Sequence, residues 1–387
     1  MKKNTVWISI ILFLFLLFGC MLWGLLKADR PYSDTENRYL ATRPAFSWKA
    51  LFDGSFTKEY EEYVADQFPH RDRLVGLKTR MEALLGKTET KGVWLADDEY
   101  LIVNHPAGDF ESEQAEKNVR ALAKAVAYYV KELGDDHVRV MIVPTASQVL
   151  TEKLPRNSQP YDQSQYLQKV RTALEENGSE GTLIDMPSVL SAHADEYIFY
   201  RTDHHWTTLG AFYGYRAWAE SLGFEPLSDS ALRTVSEDFF GTTWSKLHAL
   251  GRADAISVYD SKRPVVLTHN QTTQTEGFYN WEALKWHDQY AVFLGGNDGL
   301  MEIRPAETED GGKEGASGRV LLIVKDSFAN CFIPYAAEHY ETIVVADLRY
   351  LNMSLQALAK QYAVTDLLVL YNVQAFATDA TVFKIAR

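Results

Sequence analysis

The sequence predicts an α/β protein, a parallel sheet flanked by helices, tethered by an N-terminal membrane-crossing helix. Three observations carry this reading. An uncharged apolar run opens the chain. Short apolar runs then alternate with amphipathic helical stretches, and a Thr-, Gly- and aromatic-rich excursion interrupts the alternation. With 387 residues, 46% of them hydrophobic and 24% charged, the chain can bury a large core and lacks the charge density of a disordered one.

Val6 to Leu26 is 21 residues without a charge. At 1.5 Å per residue it covers roughly 30 Å, the thickness of a bilayer's hydrocarbon core. Lys2 and Lys3 precede it and favour a cytoplasmic N-terminus, which sends the rest of the chain outward, although Lys27 and Arg30 after it make the charge bias weak. Residues 1–30 are read as a membrane anchor in the cell membrane, and 31–387 as an extracytoplasmic domain. Two other readings share that location. A cleaved signal peptide would have a shorter apolar core, about 7–15 residues, and a small-residue cleavage site, which this run lacks. Leu17-Phe18-Gly19-Cys20 resembles a lipobox, against which stand bulky Phe18 and the apolar run continuing past Cys20.

A polar, turn-rich tether comes next. Trp48 to Leu85 carries helical spacing broken at Pro69. A hairpin is expected around Asp97-Asp98, and an amphipathic helix from Glu111 to Leu133 ending at Gly134. Val138–Val143 reads as a buried strand stopped by Pro144, Gln163–Glu176 as a helix, and Thr182–Asp185 (TLID) as a second buried strand. A helix is expected over Thr208–Leu222. Residues 237–318 form the excursion, read as an irregular or β insertion ending in the Gly-rich loop GGKEGASG. The alternation then resumes with strands at Val320–Val324, Glu341–Ala346 and Asp366–Tyr371 and a helix at Ser354–Tyr362.

The net charge of −13 repels phosphate backbones and argues against nucleic acid. With Cys20 inside the apolar run, Cys331 stands alone, which leaves neither an intramolecular disulfide nor a CxxC or zinc-knuckle motif. The reading needs no cofactor and no metal.

Two segments carry chemistry. Arg201-Thr-Asp-His-His-Trp-Thr-Thr places an acid and two imidazoles together. Asp203 can fix the tautomer of His205 across a tight turn and leave its other nitrogen as a base. The same residues also suit a helix N-cap, through Asp203, Thr207 or Thr208, or a metal site of Asp203, His204 and His205, although no HExxH-type spacing supports a metal. His204 is expected to point away from His205, as neighbours on an extended segment do. Lys325-Asp-Ser-Phe-Ala comes directly after an apolar strand. A serine on a strand-to-helix turn is exposed beside backbone N–H groups, as a nucleophile requires, and equally could be an ordinary N-cap.

The DHHW run, the KDSF run and the stretch SDTENRYL…DQFPHRD together resemble the bacterial DHHW protein family. That family is similar to the alginate O-acetyltransferase group of SGNH-hydrolase-like proteins. The resemblance implies an SGNH-like domain in circularly permuted order, with the acid–base pair ahead of the serine. It implies Ser327 as nucleophile, His205 as general base and Asp203 as its orienting acid. Asn372 and the backbone N–H of Ser327 would hold an oxyanion. Arg349 stands where the SGNH pattern more often has Gly, and by its own chemistry could bind a substrate carboxylate or phosphate; Trp206 could pack on the imidazole or face a sugar. Gly295-Gly-Asn-Asp298 mimics an SGNH block but precedes Ser327, and reads as a turn that could still line the cleft. The implied activity is O-acetylation of an exported polysaccharide through an acyl-serine, beside a multi-spanning membrane acyltransferase that supplies the acyl group. An esterase with the same triad, and a non-catalytic envelope or glycan-binding protein, are the alternatives.

Overall fold

The computed structural model describes residues 2–36, 38–306 and 318–387. The Gly-rich loop, apart from Gly318, lies outside the described residues. The chain divides into two compact units, Met1–Lys87 with Trp244–Leu250, and Thr88–Thr243 with Gly251–Arg387. Residues 31–87 thus group with the apolar helix, whereas the sequence reading set its boundary at residue 30.

In the first unit, α1 (Lys2–Leu26) contains Val6–Gly24, a stretch long and apolar enough to cross a membrane. Two further helices, α2 (Ser55–Gln67) and α3 (Arg71–Leu84), lie on either side of Pro69. Phe68 is extended, as a residue before proline prefers, and His70 turns the corner at φ 56°. Arg38 grips both oxygens of Asp66 at 2.8 and 2.6 Å and donates to Glu36 at 2.8 Å. Arg71 reaches the other oxygen of Glu36 at 2.5 Å. The two halves of the SDTENRYL…DQFPHRD pattern are therefore clasped by charge-assisted hydrogen bonds.

The second unit begins with a hairpin, β1 (Val93–Leu95) and β2 (Leu101–Val103). Helix α4 (Glu113–Leu133) starts where Ser112 accepts from the Ala115 N–H and stops at Gly134, whose φ of 97° suits glycine. Then come β3 (Val138–Val143), α5 (Ser164–Glu176) and α6 (Thr208–Ser221). Strand β4 (Leu232–Phe239) runs into the insertion, which supplies β5 (Asp254–Tyr259), β6 (Val265–His269), β7 (Thr273–Glu276) and β8 (Leu300–Pro305). The last segment carries β9 (Val320–Lys325), β10 (Thr342–Ala346), α7 (Leu355–Gln361), β11 (Asp366–Asn372) and α8 (Val373–Thr378).

The main sheet is mixed, in the order β7-β6-β8-β10-β9-β11-β3. The four strands β10, β9, β11 and β3 run parallel, whereas β8, β6 and β7 extend the sheet antiparallel. The parallel sheet expected from the sequence is thus corrected to a mixed one: four strands run parallel, and the insertion adds three antiparallel strands beside them. Side chains alternate across the parallel strands. Leu321 and Ile323 of β9 join Met141, Leu368, Tyr215 and Trp218 in one buried cluster. Leu322 and Val324 join Val140, Val369, Leu122 and Val126 in the other. TLID is also corrected. It makes only an isolated bridge, Leu183 to Val140, because Asp185 accepts from the Ser188 N–H and starts a helix with Pro187 in its first turn.

Candidate active site

Strand β9 ends at Lys325, and the next residue, Asp326, shapes the turn that holds the serine. One Asp326 oxygen accepts from the Phe328 N–H and the other from the Asn372 N–H, both at 2.8 Å. This caps a 3₁₀ turn, Ser327–Cys331, and sets Ser327 at the carboxyl end of the parallel strands. Burial pushes the Asp326 carboxyl up despite these two donors.

The histidine segment is folded by a second buried carboxylate. Asp254 accepts from the N–H groups of Arg201 and Thr202 at 2.8 Å each, and from the hydroxyls of Thr202 and Tyr197. A bridge between Phe199 and Trp206 closes the turn, and Thr207 caps α6. Asp203 and His205 then face inward, both buried. His205 Nδ1 lies 2.5 Å from Asp203 Oδ1, and its Nε2 lies 2.7 Å from Ser327 Oγ. The other Asp203 oxygen accepts from Thr242, backbone N–H at 2.7 Å and hydroxyl at 2.9 Å. Burial works to raise the Asp203 carboxyl, but the adjoining imidazoles of His204 and His205 and the donated hydrogen bonds outweigh it and hold it well below the usual carboxylate range. Proton transfer from a hydroxyl to an imidazole braced by a carboxylate is what this arrangement can do.

Sequence reasoning missed three supports. Tyr290 stacks flat on His205, with ring centroids 3.9 Å apart and planes 10° from parallel, and its hydroxyl donates to the Ser327 carbonyl at 3.2 Å. Gly241 lies so close that a Cβ there would sit 2.3 Å from Asp203. Asp254 is the third. All come from the insertion and carry no local motif.

The remaining candidates fall elsewhere. Trp206 is fully buried and donates to the Phe328 carbonyl at 2.8 Å, which ties the two turns together and leaves no face for a sugar. Asn372 is turned toward the protein: its side-chain oxygen caps α8 by accepting from Gln374 and Ala375. Arg349 closes on Asp347 through two hydrogen bonds of 2.9 and 2.6 Å rather than pointing free. His204 does not point away. Its ring lies 3.9 Å from that of His205, because the segment is a turn and not an extended strand, and its Nδ1 is 2.8 Å from Thr242 Oγ1. The Gly295–Asp298 turn does reach the serine's surroundings. Asn297 accepts from Lys325 Nζ at 2.6 Å, and Lys325 also donates to Asn330 at 2.7 Å. Burial draws this lysine down to about 8.

Two groups among the described residues bring three ligand-type atoms within 4.8 Å of one another, Asp203–His204–His205 and Glu36–Asp72–His248. In the first, both Nδ1 atoms already face hydrogen-bond partners. In the second, the Arg71 guanidinium already supplies the cation.

A mixed sheet with flanking helices, carrying a Ser–His–Asp chain at the end of its parallel strands, is the class that fold and site define. Residues 107–346 match the model of the DHHW protein family, and the chain belongs to that family. A DHHW family protein from Eubacterium siraeum has a similar structure, with a TM-score of 0.55 at 23% identity over 76% of this chain and 96% of that one. PatB1 of Bacillus cereus, in a structure with a sulfonyl adduct, is similar with a TM-score of 0.58 at 19% identity over 76% of this chain and all of that one (100%). No curated protein matches the chain significantly.

Proposed function

We propose that this protein is a cell-surface serine O-acyltransferase that acetylates an exported polysaccharide or envelope glycan, with Ser327 as nucleophile, His205 as general base and Asp203 as its orienting acid. The observation that carries the reading is the continuous chain from Asp203 through His205 to Ser327, with links of 2.5 and 2.7 Å. Ser327 Oγ attacks the acyl carbonyl as its proton passes to His205 Nε2. The imidazolium then protonates the departing group, leaving an acyl-serine. A sugar hydroxyl gives its proton to Nε2, attacks the acyl carbon and displaces Ser327, which recovers the proton. The acceptor class rests on the motif resemblance to the alginate O-acetyltransferase group. In the same reading, a multi-spanning membrane acyltransferase delivers the acyl group to a domain that α1 holds outside the cytoplasm, and the chain order is a permuted SGNH order. PatB1 carries a sulfonyl adduct, and sulfonyl reagents bond to activated nucleophiles, a reaction expected here at Ser327.

The test is a transfer assay with the full-length protein, an acetyl ester as donor and an oligosaccharide as acceptor, read by mass spectrometry of the product. Acetylated sugar is expected from the wild type and not from Ser327→Ala, and a sulfonyl fluoride should add mass at Ser327 alone. Acetate released without sugar product identifies an esterase. The absence of both turnover and labelling sinks the enzymatic reading.

A further inference from the structure

Helix α3 presents two contrasting faces. Gly76 and Thr79 lie against the segment that includes Leu247 and His248: Thr79 donates to the Leu247 carbonyl at 3.1 Å, and a Cβ on Gly76 would meet the His248 carbonyl at 2.5 Å. On the opposite side Leu74, Leu77, Met81 and Leu84, together with Leu85 just past the helix, recur at the helical spacing and are bare. Leu84 is 81% exposed and Leu77 56%. At 100° per residue, Lys78 flanks this stripe on one side and Arg73 and Arg80 flank it on the other. In a chain of net charge −13, Arg71 to Lys87 holds Arg71, Arg73, Lys78, Arg80 and Lys87 against only Asp72 and Glu82.

The occupant of this face is indicated by its neighbour. Within the same unit the outer end of α1 packs on the α2–α3 corner: the Trp23 and His70 rings are 5.9 Å apart, and Gly24 sits against Pro69. A cavity of about 580 Å³ is lined by Leu17 and Met21 of the apolar span together with Tyr60, Val64 and Phe68 of α2 and the corner. Those same three residues line a groove of about 700 Å³ that continues to Leu74, Val75 and Lys78 of α3. Apolar side chains of the span, of α2 and of α3 therefore line two adjoining hollows that share Tyr60, Val64 and Phe68.

We propose that α3 lies on the lipid surface of the membrane that α1 crosses. Its Leu74, Leu77, Met81, Leu84 and Leu85 side chains sink into the headgroup–acyl boundary, and Arg73, Lys78 and Arg80 reach anionic headgroups. An apolar stripe bordered by cations is the pattern of an interfacial helix, and long basic side chains extend past buried stems to phosphate. The anchor then holds the unit flat on the bilayer instead of at the end of a free tether.

Spin labels on full-length protein in vesicles of phosphatidylcholine and phosphatidylglycerol test this. In a Cys20→Ser background, nitroxides are placed by Leu77→Cys and Leu84→Cys, with Leu12→Cys as the lipid reference and Lys124→Cys as the water reference. Positions 77 and 84 should be relaxed by oxygen and protected from a water-soluble nickel chelate, as position 12 is. Omitting phosphatidylglycerol should make both shallower. The proposal is overturned if 77 and 84 respond to nickel like 124 while 12 reads lipid. It is equally overturned if both reagents are excluded, which would mean that protein covers the stripe, or if position 12 itself reads water.

Discussion

The two halves of the main sheet divide the work. The parallel half, β10, β9, β11 and β3, ends in the serine turn, and its strands are buried on both faces. The antiparallel half and the rest of the insertion contribute none of the three groups in the proton chain, yet they hold that chain in place. Tyr290 lies flat on the imidazole, Gly241 admits the Asp203 carboxylate, and Asp254 folds the histidine turn. In the proposed mechanism, chemistry and positioning are thus separable. Changes to the first set should remove turnover and spare the fold, whereas changes to the second should lower both.

The largest effect tests the first half of that statement. Ser327→Ala should lower acetyl-ester turnover by about 1000-fold or more while the melting temperature stays near wild type, because only a small, partly buried hydroxyl is lost. Asp203→Asn should come next with a loss on the order of 1000-fold, since an amide cannot accept from His205 Nδ1 and Thr242 as the carboxylate does. If either variant instead unfolds with little loss per folded molecule, the division fails. Gly241→Ala tests the second half. Its methyl would overlap Asp203, and both stability, by about 1–3 kcal/mol, and activity should fall. Thermal melts and turnover measured together decide it.

Tyr290 sharpens the comparison because its two roles can be split. Tyr290→Phe keeps the ring on His205 and loses the hydroxyl's bonds to the Ser327 carbonyl and to Cys331 Sγ, for which a few-fold drop in kcat is expected. Tyr290→Ala leaves a cavity beside the imidazole and should cost about 3–5 kcal/mol of stability as well as a larger share of kcat. Equal activity in the two variants would mean that the stacked ring does not position His205.

The same division separates the parts that were legible in the sequence from those that were not. Strands such as Val138–Val143 and Val320–Lys325 are short, mostly apolar runs ended by Pro144 or by the DS pair, and their bounds could be read almost to the residue. Asp203, His205 and Ser327 stood in short motifs. The insertion was opaque for physical reasons. Its strands are half-buried, β5 alternating and β7 fully exposed, and antiparallel register is set by partners far along the chain. Asp254 reads as any strand acid in the sequence, and only the fold brings four donors from residues 197–202 onto it. Chain order dismissed Gly295–Asp298 as a turn, yet Asn297 receives the Lys325 ammonium. His204 was misplaced because alternation of side chains holds on a strand and fails on a turn.

That lysine lies where the halves meet. Lys325 sits on β9, and Asn297 reaches it from the insertion. Burial opposes its charge and brings it down to about 8, whereas in the unfolded chain it titrates near 10.5. Between those values the unfolded chain holds a proton that the folded chain has released, so stability rises with pH across that window. Lys325→Met removes this dependence. Urea melts of both proteins from pH 7 to 11 should show the wild type gaining on the variant by up to about 3 kcal/mol above pH 8. Parallel curves would mean that the ammonium stays charged in the fold. Asp347, 4.0 Å away, would then outweigh burial, and the insertion's Asn297 would be an incidental neighbour rather than part of the lysine's environment.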